Sequence, residues 1–167
     1  MSETLERFAA DCREILAADQ GPQGRDKVRL RLEQALRDRD FVARHLGPDN
    51  SRERSILYED DELGFCICAH VYEGAKNGNP HDHGDTWAIY GQAVGETEMT
   101  DWRLLNEPSP DVPAKAEKVR SYTLRPGDAR VYEVGDVHAP FRADSTRLIR
   151  IEGRNCDHVT RSNIVAA

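Results

Sequence analysis

His81 and His83 stand two residues apart in the stretch NPHDHGDTW, which runs from Asn79 to Trp87. In an extended chain residues i and i+2 face the same way, so the two imidazoles project together while Asp82 points to the other side. A neutral imidazole offers one lone pair. Two of them on one face are either part of a metal site or ordinary polar groups with satisfied hydrogen bonds. A second stretch, RPGDARVYEVGDVHAP from Arg125 to Pro140, bears on that choice. Gly127–Asp128 makes a turn, a strand follows, Gly135–Asp136 makes another turn, and His138 comes next.

Histidines so far apart in sequence need a framework to meet. Leu5, Phe8, Ala9, Cys12, Ile15 and Leu16 fall on one helical stripe, and GPQGRD then breaks the chain. Val28, Leu32, Ala35 and Leu36 recur at helical spacing, with Gly47 as a stop. Residues 1–50 therefore read as a helical segment of two or three helices. From Ser55 the pattern turns to short strands. SILYED and LGFCICAHVY form a pair joined around Asp60–Glu62. WAIYGQAV, ETEMTDWRLL, AEKVRSYTLR, ARVYEV, TRLIRIEG and DHVTRSNI follow, separated by Gly- and Pro-rich turns such as GAKNGNP, NEPSPDVP and RPGD. Even spacing of this kind indicates an all-β barrel or sandwich over residues 51–167, with the helices packed on it as one structural domain.

The 167 residues suit one domain, and 38% hydrophobic content supplies a core. A net charge of -7 argues against nucleic-acid binding. The basic residues of GRDKVRLRLEQALRDRD are interleaved with acids and read as a solvated helix face. No apolar run approaches the roughly 20 residues a membrane span needs, and the N-terminus lacks the apolar segment of a signal peptide. Cys12, Cys66, Cys68 and Cys156 form no CxxC pair and read as free thiols, which fits a reducing cytoplasm. Cys66 and Cys68 share one face of a strand.

The H-x-H stretch and the later histidine beyond a glycine turn resemble the two cupin motifs. The first motif's spacing is met by His81, His83, Ala88 and Gly95, and the second's by Gly127, Gly135 and His138; the second motif's proline and final asparagine are missing. The resemblance implies a mainly β fold, a single cupin double-stranded β-helix (jelly-roll barrel) with a helical N-terminal segment, and a metal ion held by His81, His83 and His138. Most cupins place a ligating glutamate where this chain has Ala88. Three neutral imidazoles would then leave about three positions open on a site that keeps its +2 charge. Asp85, with the parity of the histidine pair, is a rival ligand or a turn acceptor.

The stretch HDHGDTWAIYGQAVGETEMTDW is similar to the cysteine dioxygenase branch of the cupins, as are the helical N-terminus and the segment RSILYEDDELGFCICAHVYEG. By that match Arg54 grips a substrate carboxylate with its planar fork, with Arg52 as a competitor and a plain surface charge as the alternative. The branch carries a Ser-x-His-x-Tyr relay on its last strand, where this chain has Leu148, Arg150 and Glu152. Arg150 and Glu152 share parity. They form either an internal salt bridge, or a pair in which Arg150 binds an anionic group and Glu152 shuttles a proton. The resemblance implies Fe(II), with Zn, Mn or Ni as alternatives, and oxidation of a small carboxylate-bearing thiol to its sulfinate by O2. A three-histidine metal cupin with other chemistry (Zn or Mn isomerase, hydrolase or C–C-cleaving dioxygenase) and a non-catalytic ligand-binding cupin remain open. The expected partners are small molecules, with no nucleic acid and no membrane, in a monomer or homodimer. Trp87 and Tyr132 read as core residues, with a place in the pocket wall as the alternative; His70 reads as packed and His158 as exposed.

Overall fold

The computed structural model describes residues 2–167, and the chain forms a mainly β jelly roll of two sheets with three helices at its N-terminus. The helices are α1 (Leu5–Ala18), α2 (Pro22–Leu36) and α3 (Arg39–Leu46). Thr4 caps α1 by accepting from the Arg7 amide, Pro22 opens α2 where its missing N–H costs nothing, and Asp38 caps α3 through the Asp40 and Phe41 amides. The strands are β1 (Ser55–Glu59), β2 (Cys66–Tyr72), β3 (Lys76–Asn77), β4 (Ala88–Val94), β5 (Thr97–Leu104), β6 (Ala114–Leu124), β7 (Ala129–Tyr132), β8 (Val137–Arg142), β9 (Thr146–Glu152) and β10 (Ile164–Ala166). They form two five-stranded sheets, in the orders β1-β2-β9-β4-β7 and β10-β6-β5-β8-β3. Among the described residues no helix is long and apolar enough to cross a membrane.

The first sheet is covered on both faces, which explains why β2 reads as the unbroken run CICAHV instead of alternating. Its outward residues, Ile67, Ala69, Val71, Ile89, Ile149 and Ile151, join Phe8, Leu16, Val28, Leu32 and Phe41 of the helices in the main core. Its inward residues line the barrel, where Ala88, Tyr90 and Tyr132 meet Met99 and Leu124 of the second sheet. Helix α2 lies so close to β4 that a Cβ on Gly91 would stand 2.6 Å from Leu32 and 2.9 Å from Leu36. Gly91→Val should therefore destabilise the protein by about 1–3 kcal/mol through overpacking. Urea denaturation checks this, and a change below about 0.5 kcal/mol would mean that α2 shifts freely over the sheet.

Three readings of the sequence are corrected by the structure. DHVTRSNI does not form one strand: Cys156–His158 is a single 3-10 turn capped by Asn155, and only Ile164–Ala166 pairs, parallel to β6. Strands β3 and β8 were not legible, and β8 contains Pro140. The H-x-H stretch is not a continuous strand either. His81 makes one bridge with His138, and His83 enters a tight turn in which Asp82 accepts from the Gly84 amide and Gly84 takes a φ of +61°.

Candidate metal centre

Two elements deliver the three imidazoles. His138 is the second residue of β8, and its amide and carbonyl pair with the carbonyl and amide of His81 at 3.0 Å each, which fixes the two histidines side by side. The turn after His81 brings His83 round to the same point, and the Asp82 carboxylate anchors that turn by also accepting from the Ser162 amide. One ring nitrogen from each histidine falls within 4.8 Å of the others.

The orientation of the rings is set by their outer nitrogens. His81 Nδ1 donates to the Asn79 carbonyl at 2.8 Å, His138 Nδ1 to the Asp136 carbonyl at 3.3 Å, and His83 Nδ1 faces the Cys156 sulfur at 3.9 Å. A donor at Nδ1 leaves Nε2 as the lone-pair nitrogen, the tautomer that ligates. Burial keeps all three rings neutral. It lowers His81 to about 4 with help from the Arg161 charge, and His83 to about 2 with help from Arg150. His138 falls well below the ordinary value, through burial and then the two neighbouring rings.

Two of these nitrogens, His83 Nε2 and His138 Nε2, are 3.1 Å apart. Two lone pairs facing each other at that distance repel unless a proton or a cation stands between them. Tyr90 has one proton to offer; its oxygen lies 3.1 Å from His83 Nε2 and 3.3 Å from His138 Nε2 and already accepts from Arg150. Nitrogens 3.1 Å apart that each lie roughly 2.0–2.1 Å from one ion would subtend about 95–100° at it, between octahedral and tetrahedral values. The donor set therefore fits a divalent ion, and no carboxylate joins it among the described residues.

Around this point the lumen is aromatic and basic. Tyr132 stacks on His138 at 3.9 Å between ring centres, with its hydroxyl 2.7 Å from that of Tyr122. Ala88, at the position where a glutamate would ligate, is fully buried and inward. Asp85 is exposed and ion-paired with Arg154, away from the cluster. Trp87 packs in the outer core beside Gly153, His158 is exposed, and His70 is buried with its Nδ1 3.0 Å from the Tyr72 hydroxyl.

The structure forms the Arg150–Glu152 salt bridge that their shared parity allowed and adds Arg54 to it, which their spacing did not reveal. Glu152, with no exposed side-chain surface, accepts from Arg54 through both oxygens at 2.6 and 3.0 Å, from Arg150 Nε at 2.9 Å and from the Cys156 amide at 2.8 Å. Burial pushes its carboxyl up, but these donors and the two guanidinium charges outweigh it and hold the group at about 2. A carboxylate held so low stays ionised and fixes the arginines. Arg54 spends its fork on Glu152 and also meets Asn155 and Asp157, while Arg52 is exposed. Arg150 bridges Glu152 to Tyr90, so the histidine cluster is wired to the buried ion pair through one hydroxyl. Sequence reasoning missed Tyr90, whose signal was its inward parity with Ala88. It also missed Arg161, an exposed cation beside His81 and His83 for which no periodicity gave a signal.

Comparison with solved structures finds proteins similar to part of this chain, several of them described as cupins. A cupin superfamily protein from Desulfitobacterium hafniense matches at 13% identity and a TM-score of 0.43, over 61% of this chain and 80% of that one. A protein with a double-stranded β-helix domain from Klebsiella pneumoniae matches at 14% identity and 0.47, over 72% and 93%. KdgF from a Halomonas species matches at 21% identity and 0.44, over 62% and 80%. No protein-family model and no curated protein matches the sequence.

Proposed function

We propose that this chain is a mononuclear metal enzyme. In this reading His81, His83 and His138 hold a divalent ion, Fe(II) in the first instance, and the reaction is oxidation of a small carboxylate-bearing thiol to its sulfinate. The stoichiometry is R–SH + O2 → R–SO2H, with both oxygen atoms entering the product and no further reductant required. The reading is carried by the convergence of three neutral imidazole nitrogens with no acid among them, which leaves the site cationic and suited to anionic ligands. When bound, the ion supplies a Lewis-acid position for an anionic group and a redox couple for dioxygen.

The chain's own groups do the rest. Arg150 and Arg161 add positive potential at the imidazoles and draw an acid inward. The Tyr90 hydroxyl, beside two of the three ligating nitrogens, holds a proton where a substrate atom would sit. Glu152 and Arg54 keep Arg150 in place. Tyr132, Met99 and Ala88 exclude water from the lumen. A second reading, Zn(II) or Mn(II) with isomerase, hydrolase or C–C-cleaving chemistry, gains support from the same Tyr90 hydroxyl, a ready proton donor for a non-redox reaction.

Metal analysis of protein purified without added metal, followed by oxygen uptake across a panel of carboxylate-bearing thiols, separates the two. The dioxygenase reading expects iron near one per chain and uptake on one thiol, with one sulfinate formed per O2 and none in His83→Ala. Zinc or manganese at full occupancy without uptake supports the second reading. Metal far below one per chain overturns both.

A further inference from the structure

Strand β8 carries Arg142 four residues beyond His138 with the same inward parity, so the two lie roughly 13 Å apart along one strand. Arg142 is only 4% exposed, and its guanidinium makes no hydrogen bond or ion pair among the described residues. Its Nε is buried without a partner, and the group lies over the face of Tyr72, 4.6 Å from the ring centre. A second orphan neighbours the same tyrosine. Thr146 is opposite Tyr72 in the β2–β9 register and 1% exposed, and its hydroxyl also lacks any partner.

Charge within the lumen does not balance. Arg142 and Arg150 face inward, and the buried carboxylate beside them, Glu152, is engaged by Arg150 and by Arg54, which also has the exposed Asp157, so no acid meets Arg142 among the described residues. Burial, opposed by nearby tyrosines and reinforced by the Arg150 charge, makes the Arg142 cation harder to keep. A buried cation is stable when an anion meets it. Arg150 uses Nε on Glu152 and Nη1 on Tyr90, and its Nη2 forms no bond among the described residues.

We propose that Arg142, with the Thr146 hydroxyl and the free edge of Arg150, forms an internal binding site for a small carboxylate, distinct from the three imidazoles. The planar fork of an arginine matches a carboxylate, and a neighbouring hydroxyl can donate to the same oxygen. The site as such needs no metal. That it receives the acid end of a substrate whose other end lies at the histidines rests on the metal-enzyme reading above. It also moves the carboxylate-binding role from Arg54, whose fork is spent on Glu152, to Arg142.

The probe is acetate, titrated at constant ionic strength against chloride into chelator-treated, desalted protein, with calorimetry and thermal denaturation as readouts. Saturable binding is expected, weakened about tenfold or more in Arg142→Met and less in Thr146→Val. Arg142→Lys, which keeps the charge and loses the fork, should recover only part of the affinity. Without acetate, Arg142→Met should melt at or above the wild-type temperature, because it removes an unmatched buried charge. Equal acetate binding in wild type and Arg142→Met overturns the proposal. So does acetate binding that appears only after metal is restored, which places the anion at the histidines and leaves the metal reading intact. Acetate binding to a protein that never takes up metal would sustain this site while the metal reading fails.

Discussion

If the three imidazoles hold a metal as proposed, replacing His138 by alanine should lower bound metal from about one ion per chain to under a tenth, and should abolish the rise in melting temperature expected when metal is added to the wild-type protein. His138 is wholly buried, and its main chain is held by the paired bonds to His81, so truncation removes the ligand without releasing the strand. Losing a group that merely orients a ligand costs 10–100-fold in affinity, and losing a ligand costs at least about 100-fold. An ion present at about 1,000 times its dissociation constant stabilises the fold by about 4 kcal/mol, and at ten times by little more than 1 kcal/mol. The metal-free forms should differ much less. The variant loses ring packing against Tyr132 but also loses the 3.1 Å opposition of two lone pairs. Elemental analysis and thermal denaturation with and without chelator provide the check. Equal metal content in the two proteins would remove the three-imidazole site from the account.

What the sequence made legible follows from how local each signal is. Period-2 and period-3.6 patterning revealed the helices and most strands because each element buries a repeating face, the last helix ending at Leu46 and the first strand starting at Ser55. The three histidines were legible because spacing around Gly95 and Gly135 fixes where strands turn. Strand β8 was hidden because Pro140 lies inside it, and proline normally argues against a strand; here it sits opposite Met99, with its carbonyl accepting from Gly78. Arg54 was placed by resemblance alone, and nothing in SRERS discloses that Glu152, 98 residues later, takes up its fork. Arg142 looked like one of 23 basic residues. Its burial depends on β8 continuing inward past the proline, which no local window shows. Tertiary charge balance is a property of the closed barrel, and so the arginines were the least readable part of the site.

That balance yields the largest stability effect. Glu152→Gln should cost about 3–5 kcal/mol, because it keeps the shape of the side chain but leaves the buried Arg150 without its counter-charge and Arg54 with only the exposed Asp157. The pH dependence of the wild type has a fixed sign. The Glu152 carboxyl, ordinarily near 4.5, is held at about 2 in the fold, so the folded state favours the ionised form. The stabilisation is complete above pH 4.5 and is lost as the pH falls towards 2; the difference corresponds to about 3 kcal/mol. Urea denaturation from pH 7 to pH 3 should therefore show the wild type converging on Glu152→Gln as acid is added, with a constant gap above about pH 5. Adding Arg54→Gln to Glu152→Gln should cost less than Arg54→Gln does in the wild type, because the second change removes an unmatched cation instead of breaking a pair. If the two costs prove equal, the ion pair does not govern the lumen, and neither Arg150 nor Tyr90 is held in place by it.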